Sequence, residues 1–301
     1  MSNAVTSAIA ERLNISTSLV KGAIVGSGKN GDYKYNDIKH RESDIMAWLS
    51  ADTSFDPDTF NAPLIGVQST LNGDHDDGLH RHQMGQMLFT RQGCIRLTLN
   101  DGALLCMLPP TRAAWIPAGV THRAEMQRIV DYRSVWFANT HYPELPAAPA
   151  ILNVTPLLRE LLERISASPW DTDWQQGPAR HLAALSVAEI GAAKHEPLML
   201  TLPQDKRLRH LNGHGHPPQL QQLAAQCGAG EKTISRLFQR ETGMSYQQWR
   251  QQWRLMKAVE LLASGQRITD VAQALEFASD SAFIYFFRSQ TGKTPGQYVA
   301  R

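Results

Sequence analysis

Cysteine is scarce in this chain. Cys94, Cys106 and Cys227 are the only three in 301 residues, and no two stand at CxxC spacing. That argues against a disulfide framework or a zinc knuckle and points to a reduced, cytoplasmic protein. Long apolar runs are missing as well: no stretch approaches the roughly 18 uninterrupted apolar residues that cross a bilayer. No membrane role is therefore expected. The opening residues lack a basic segment followed by an apolar block, so no secretory signal is expected either. Net charge is only +2. Apolar residues make up 42% and charged residues 19% of the chain, a globular balance rather than a disordered one. The length suffices for two domains, each with its own core.

The small net charge hides an uneven distribution. From Gln204 to Arg301 there are 13 Lys/Arg against 7 Asp/Glu, whereas residues 1–203 carry 17 against 21. A basic C-terminal third on an acidic body suits an encounter with a polyanion at one end of the molecule.

Residues 60–137 alternate β-rich runs with turn residues. MLFTRQG, CIRLTLNDG, ALLCMLPP, AAWIPAG and DYRSVWF are strand-length segments closed by Gly, Pro or Asn-Asp-Gly. Asn100-Asp101-Gly102 between two of them is a hairpin signal. Short strands at this spacing predict a sandwich or barrel. After Phe137, ANTHYPELPAAPA reads as a connection. Leu157, Leu158, Leu161, Leu162 and Ile165 then recur at helical spacing, followed by a second such group from Leu182 to Ile190. This helical pair either completes the barrel domain or forms a dimer contact. The connection LNGHGHPPQ, with His214 and His216, reads as an ordinary loop.

QLQQLAAQCGAGEKTISRLFQRETGMS carries the firmest motif. Ala224, Gly228 and Ile234 fall at the offsets of a helix-turn-helix. A small residue lets the helices cross closely, glycine takes the left-handed turn, and a β-branched residue packs into the junction. The arrangement repeats from Ile268, Val271, Ala272 and Leu275 to Phe283, Phe286 and Phe287. Between the units, SYQQWRQQWRLMKAVELLASG reads as one long helix. Such a helix would hold two recognition helices at consecutive major-groove segments, roughly 34 Å apart.

These residues resemble the C-terminal signature of the AraC/XylS family of bacterial transcription regulators. The Phe277-x-Ser279-x-Ser281-x-Phe283 core, Phe286-Phe287-Arg288 and the closing Gly292-x-Thr294-Pro295-x-x-Tyr298 all sit in register. The resemblance covers residues 204–301. It implies DNA contacts from Lys232, Ser235, Arg236 and Gln239 on the first recognition helix. On the second it implies Asp280, Ser281, Ile284 and Tyr285, with Arg288 on phosphate. Arg236 suits bidentate reading of a guanine. One residue departs from the pattern: Glu276 stands where family members usually carry glycine. A non-glycine residue in a left-handed turn costs on the order of 1 kcal/mol. A carboxylate facing phosphate would also weaken attraction, so the second unit is expected to dock less tightly.

His80-x-His82-x3-Gln86-x6-Gly93 resembles the first cupin motif, and Pro117-x-Gly119-x2-His122 the second. Alternate residues of a strand share a face, so His80 and His82 are expected to point together, with Gln86 in phase and His122 joining from a later strand. Three imidazoles suit Zn, Fe, Ni or Cu. However, Gln86 stands where cupin enzymes supply a carboxylate, and Met126 where they often have Asn. The expectation is therefore an effector pocket lined by His80, His82, Gln86 and His122 with no resident cofactor. A divalent metal on His80, His82 and His122 is the alternative. HRHQMGQMLFTRQG and LLCMLPPTRAAWIPAGVTHRAEM resemble the sensor domain of cupin-bearing AraC regulators related to the nitroimidazole-resistance regulator. Trp115, Met84, Met87 and Phe89 read as core for at least half of the set.

The expected fold is α+β. A cupin-like β-barrel spans residues 46–140, a helical linker or dimerisation segment 141–203, and an all-α double helix-turn-helix domain 204–301. Residues 1–45 are either an additional helix-turn-helix, on the offsets of Ala10, Asn14 and Val20, or upstream of a natural start at Met46. The expected function is an effector-responsive, non-enzymatic transcription regulator acting as a homodimer. Its partners would be a double-stranded DNA operator, a small-molecule effector and, if it activates, RNA polymerase. The competing class is a cupin metalloenzyme with an accessory DNA-binding domain.

Overall fold

The computed structural model describes residues 55–196, 199–212 and 215–299; the candidate helix-turn-helix within residues 1–45 lies outside them. Ten strands form two five-stranded antiparallel sheets. In chain order they are β1 Leu64–Asn72, β2 His75–Asp76, β3 Gly85–Gln92, β4 Ile95–Leu99, β5 Leu104–Leu108, β6 Arg112–Ile116, β7 His122–Met126, β8 Ile129–Phe137, β9 Ala150–Asn153 and β10 Met199–Thr201. One sheet runs β1-β8-β3-β6-β9 and the other β10-β5-β4-β7-β2. The hairpin at Asn100-Asp101-Gly102 joins β4 to β5, and all three residues take positive φ (53, 55 and 83°), as a tight turn matched to strand twist requires.

The barrel extends beyond the boundary expected from sequence. β9 pairs with β6 and β10 with β5, so the segment 141–203 gives an edge strand to each sheet besides two helices. Both strands are short, at four and three residues, too brief for a period-two pattern to register. The helices are α1 Pro156–Ser166 and α2 Gly177–Ala192. They pack on the outer face of the first sheet, burying Leu158, Leu162, Ile165, Val187 and Ile190 against Leu64, Met87, Phe89, Trp115 and Phe137. Trp115, Met87 and Phe89 thus belong to this outer core and not to a pocket wall. Gly66 allows the close approach, because a Cβ there would lie 2.5 Å from Ser166 Cα and 2.6 Å from the Ile165 carbonyl oxygen.

Six further helices follow: α3 Leu220–Gln226, α4 Glu231–Thr242, α5 Tyr246–Ala263, α6 Ile268–Ala274, α7 Asp280–Thr291 and α8 Pro295–Val299. The long helix α5 starts from a capping box in which Ser245 and Gln248 satisfy each other's main chain. Its Trp249, Trp253, Met256 and Val259 join one continuous apolar cluster with Leu105, Met107 and Leu200 of the second sheet. Trp249 Nε1 donates to the Thr201 carbonyl at 2.7 Å. At the other end of the domain the Arg112 guanidinium sits 5.2 Å above the Tyr298 ring. The barrel thus carries helices on both sides.

Replacing Gly66 by Ala is expected to lower stability by about 2 kcal/mol, because backbone and not a flexible side chain must yield. Thermal denaturation checks this; an unchanged Tm would show that α1 shifts freely.

Candidate DNA-binding surface and histidine cluster

The two helix-turn-helix units are built alike. In the first, Ala224 and Ile234 are buried and Gly228 takes φ 58°. In the second, Ala272 and Phe283 are buried and Glu276 takes φ 57°. The left-handed turn expected at Glu276 is therefore present in spite of its side chain. Its side chain is 65% exposed, and the carboxylate lies beside two groups of neighbouring segments. Glu276 Oε2 lies 3.2 Å from His216 Nε2 and 3.5 Å from Arg250 Nη2. Arg250 is the cation beside this charge, and it also donates to His216 Nε2.

On α4, Lys232, Arg236 and Gln239 are exposed and Ser235 is half-buried. Gln239 Nε2 donates to the Gly243 carbonyl at 3.1 Å, which folds its amide towards the helix end. On α7, Ser281, Tyr285 and Arg288 are exposed, Tyr285 to 79%, while Ile284 is half-buried. Asp280 accepts a hydrogen bond from Thr269 Oγ1 at 2.8 Å and lies in the first turn of α7. It therefore ties α6 to α7 and complements the helix N-terminus. Lys232, Ser235, Arg236, Ser281, Tyr285 and Arg288 remain as an open surface, and docking on the barrel leaves it uncovered.

The histidines gather at one end of the barrel. Main-chain hydrogen bonds of 2.9 and 2.8 Å pair His80 with His122. Ring centroids are 4.2 Å apart for His80 and His122, 4.9 Å for His82 and His122, and 6.3 Å for His80 and His82. His82, Gln86 and His122 are buried, while His80 is exposed. Each imidazole Nδ1 meets a main-chain carbonyl: Gly78 for His80 at 3.0 Å, Met84 for His82 at 2.5 Å and Val120 for His122 at 3.0 Å. A proton held there leaves Nε2 as the lone-pair nitrogen.

Outer-shell pinning of this kind accompanies metal-binding histidines, but the ε-nitrogens are not equally open. The indole of Trp136 donates to His82 Nε2 at 3.2 Å. Gln86 Oε1 lies 3.1 Å from the same nitrogen while its Nε2 donates to Ser134 Oγ at 2.7 Å. His122 Nε2 is buried without a hydrogen-bond partner. Among the described residues no three His, Cys, Asp or Glu side chains are grouped to hold a metal ion. The three ε-nitrogens thus differ: that of His82 is engaged by Trp136 and Gln86, and that of His122 is buried and open.

Trp136 and Ser134, which position His82 and Gln86, were not singled out from sequence. Their signal is the alternation of Tyr132, Ser134 and Trp136 on one face of β8, and register places Trp136 beside Gln86. Beyond Trp136 lies an aromatic group of Phe55, Phe60 and Trp170, with ring centroids 5.3 to 5.5 Å apart and Phe55 4.9 Å from Trp136. Met84 packs there with Ile65 and Val67.

Residues 223–301 match the family model described as a helix-turn-helix domain. Over 228 residues the chain is 30% identical to the HTH-type transcriptional regulator NimR of Escherichia coli (strain K12), covering 74% of this chain and 82% of that protein. This chain belongs to the AraC/XylS family. It is a DNA-binding transcription regulator. Over 145 residues this AraC/XylS chain is also 29% identical to the transcriptional activator NphR of Rhodococcus sp, covering 44% of the chain and 43% of NphR. Among solved structures, unsaturated fatty acid-bound ToxT from Vibrio cholerae strain SCE256 aligns with a TM-score of 0.36 at 11% identity, covering 79% of this chain and 95% of that one. No helix of the described residues is long and apolar enough to cross a membrane.

Burial lowers the pKa of His122 to about 4 and also lowers that of His82. Both rings are thus neutral in the folded protein near pH 7, and the unfolded chain binds more protons between about pH 4 and 6.5. Their contribution to stability is present above about pH 6.5 and is lost as pH falls towards 4. The Tm of the wild type should drop on going from about pH 7 to pH 5, and His122→Leu should reduce that drop. Equal pH dependence of the two proteins would show that His122 does not carry the effect.

Proposed function

We propose that this AraC/XylS regulator binds a bipartite operator as a homodimer and answers a small-molecule effector at the histidine end of its barrel. The observation that carries the reading is the pair of alike helix-turn-helix units with open recognition faces on one continuous core. Arg236 reads a base in the first element, and Tyr285 with Ser281 meets the second. Lys232 and Arg288 set the register on phosphate. Asp280 and Gln239 have a smaller part, since both side chains are engaged within the domain.

The effector site comprises His80, His82, Gln86 and His122, with the Trp136 face beside them. A ligand there competes for the lone pair of His122 or displaces the Trp136 indole from His82. The effect on DNA binding is a population shift between barrel–helix arrangements. The barrel works without catalysis and without a resident cofactor; the neutral Gln86 at the carboxylate position supports this over the metalloenzyme alternative. The name of NphR supports activation, with RNA polymerase as partner, and the protein acts in the cytoplasm.

Dimerisation is assigned to α2. Ala183, Val187 and Ile190 face the barrel, yet the opposite face, with Ala184, Leu185, Ala188 and Ala192, is also apolar and is exposed. A helix that is apolar all round needs cover on both sides.

Three outcomes test this reading. In selection of bound DNA from random sequence, Arg236→Ala relaxes preference at one base step, at a cost of about 1–3 kcal/mol for the preferred base. Arg288→Ala instead weakens all sequences alike. Failure of the wild type to enrich any sequence sinks the operator reading. Ala188→Glu yields a monomer in sedimentation; a dimer that survives this charge removes α2 from the interface.

A further inference from the structure

Three segments that are distant in sequence meet at Glu276. The first is the stretch that enters the first helix-turn-helix, where His216 and Pro217 lie. The second is the linking helix α5, which carries Arg250 and Arg254. The third is the turn of the second helix-turn-helix, from Leu275 to Phe277. Arg250 Nε donates to the Pro217 carbonyl at 2.8 Å and its Nη2 to His216 Nε2 at 2.9 Å. The same Nη2 reaches Glu276 Oε2 at 3.5 Å, and His216 Nε2 stands 3.2 Å from that oxygen. The His216 ring packs edge-on against Trp253, with centroids 5.4 Å apart. One turn along α5, the Arg254 guanidinium lies 4.0 Å from the Phe277 ring centroid and donates to the Leu275 carbonyl.

An exposed ion pair alone contributes little. Here Arg250 is 14% exposed and is held by a main-chain carbonyl, so its own side-chain entropy is largely lost before Glu276, itself 65% exposed, joins it. The backbone also pays for this contact. Glu276 occupies the left-handed conformation that Gly228 takes without strain in the first unit. A glycine would satisfy the turn but would leave Arg250 without its ion pair to the second unit.

We propose that Glu276 is a positioning residue: it fixes the second recognition helix relative to the first, and so sets the spacing between the two DNA elements that the protein accepts. Besides this link, α6 and α7 are joined to α5 by apolar packing that includes Val271, Phe277 and Phe283 and by the Arg254 contact; the ion pair adds a directional polar contact at the turn itself. The inference rests on the bipartite operator, and the test separates the two ideas.

The full-length protein is measured on duplexes that carry both half-elements with the spacer lengthened or shortened by one base pair. The wild type shows one preferred spacer. Glu276→Gln removes the charge but keeps the turn residue, and Glu276→Gly removes both charge and strain. Both variants are expected to lose about fivefold of the discrimination between spacers while retaining base preference within each half-element. Arg250→Gln reproduces the loss, and combining it with Glu276→Gln adds little. A Tm at or above that of the wild type for Glu276→Gly excludes misfolding as the cause. Spacer profiles of both Glu276 variants that superimpose on the wild type overturn the proposal. So does a uniform gain in affinity across all spacers, which would make Glu276 a source of repulsion only. A wild type with no preferred spacer, yet with base preference, overturns the two-site operator itself.

Discussion

The structure depends on one helix shared by the barrel and both DNA-binding units. Trp249 and Trp253 of α5 are buried, and Trp249 also closes a hydrogen bond to the edge strand β10. The same helix packs its Tyr246 and Trp249 on Phe238 of the first helix-turn-helix, with ring centroids 4.7 and 5.4 Å away. Further along, Met256, Val259 and Leu262 share a cluster with Val271 and Phe283 of the second unit. A shift of α5 would therefore be felt at once in the barrel wall and in both DNA-binding units. Interiors packed to crystal-like density pass on such shifts rather than absorb them.

Much of this architecture was legible in the sequence because it is written in local patterns. The offsets Ala224, Gly228 and Ile234 have a steric meaning within a dozen residues, and the long apolar stripe of α5 repeats at helical period. The hairpin at Asn100-Asp101-Gly102 needed nothing beyond its own turn. The parts that escaped depend on partners remote in the chain. β9 and β10 are too short to show a period, and they exist because β6 and β5 offer open edges. The hydrogen bond from Trp136 to His82 joins residues 54 apart. The contacts of Glu276 escaped for the same reason, since neither His216 nor Arg250 is near it in sequence.

The histidine cluster shows how similar residues are put to different uses by what surrounds them. Three main-chain carbonyls orient the rings as they would for metal ligation. A single indole then occupies one of the nitrogens, and a neutral Gln86 stands where charge compensation would be required. With the proton on Nδ1, His82 Nε2 accepts from Trp136; Gln86 Oε1 becomes its partner only when that nitrogen carries a proton. The site is thus a set of competing hydrogen bonds, and small changes in ring position or protonation select among them.

The two faces of the barrel carry different cargo. α1 lies against the first sheet with no room for a side chain at Gly66, and α2 rests on α1. α5, with both DNA-binding units, rests on the second sheet. The sheets of such a sandwich stand about 10 Å apart, so the barrel is a spacer plate between α1 and α2 on one side and the DNA-binding units on the other. Any repacking of its interior would change the thickness of that plate. In a dimer joined through α2, each copy would add its own increment, and the distance between the outermost recognition helices would change by twice the movement within one barrel.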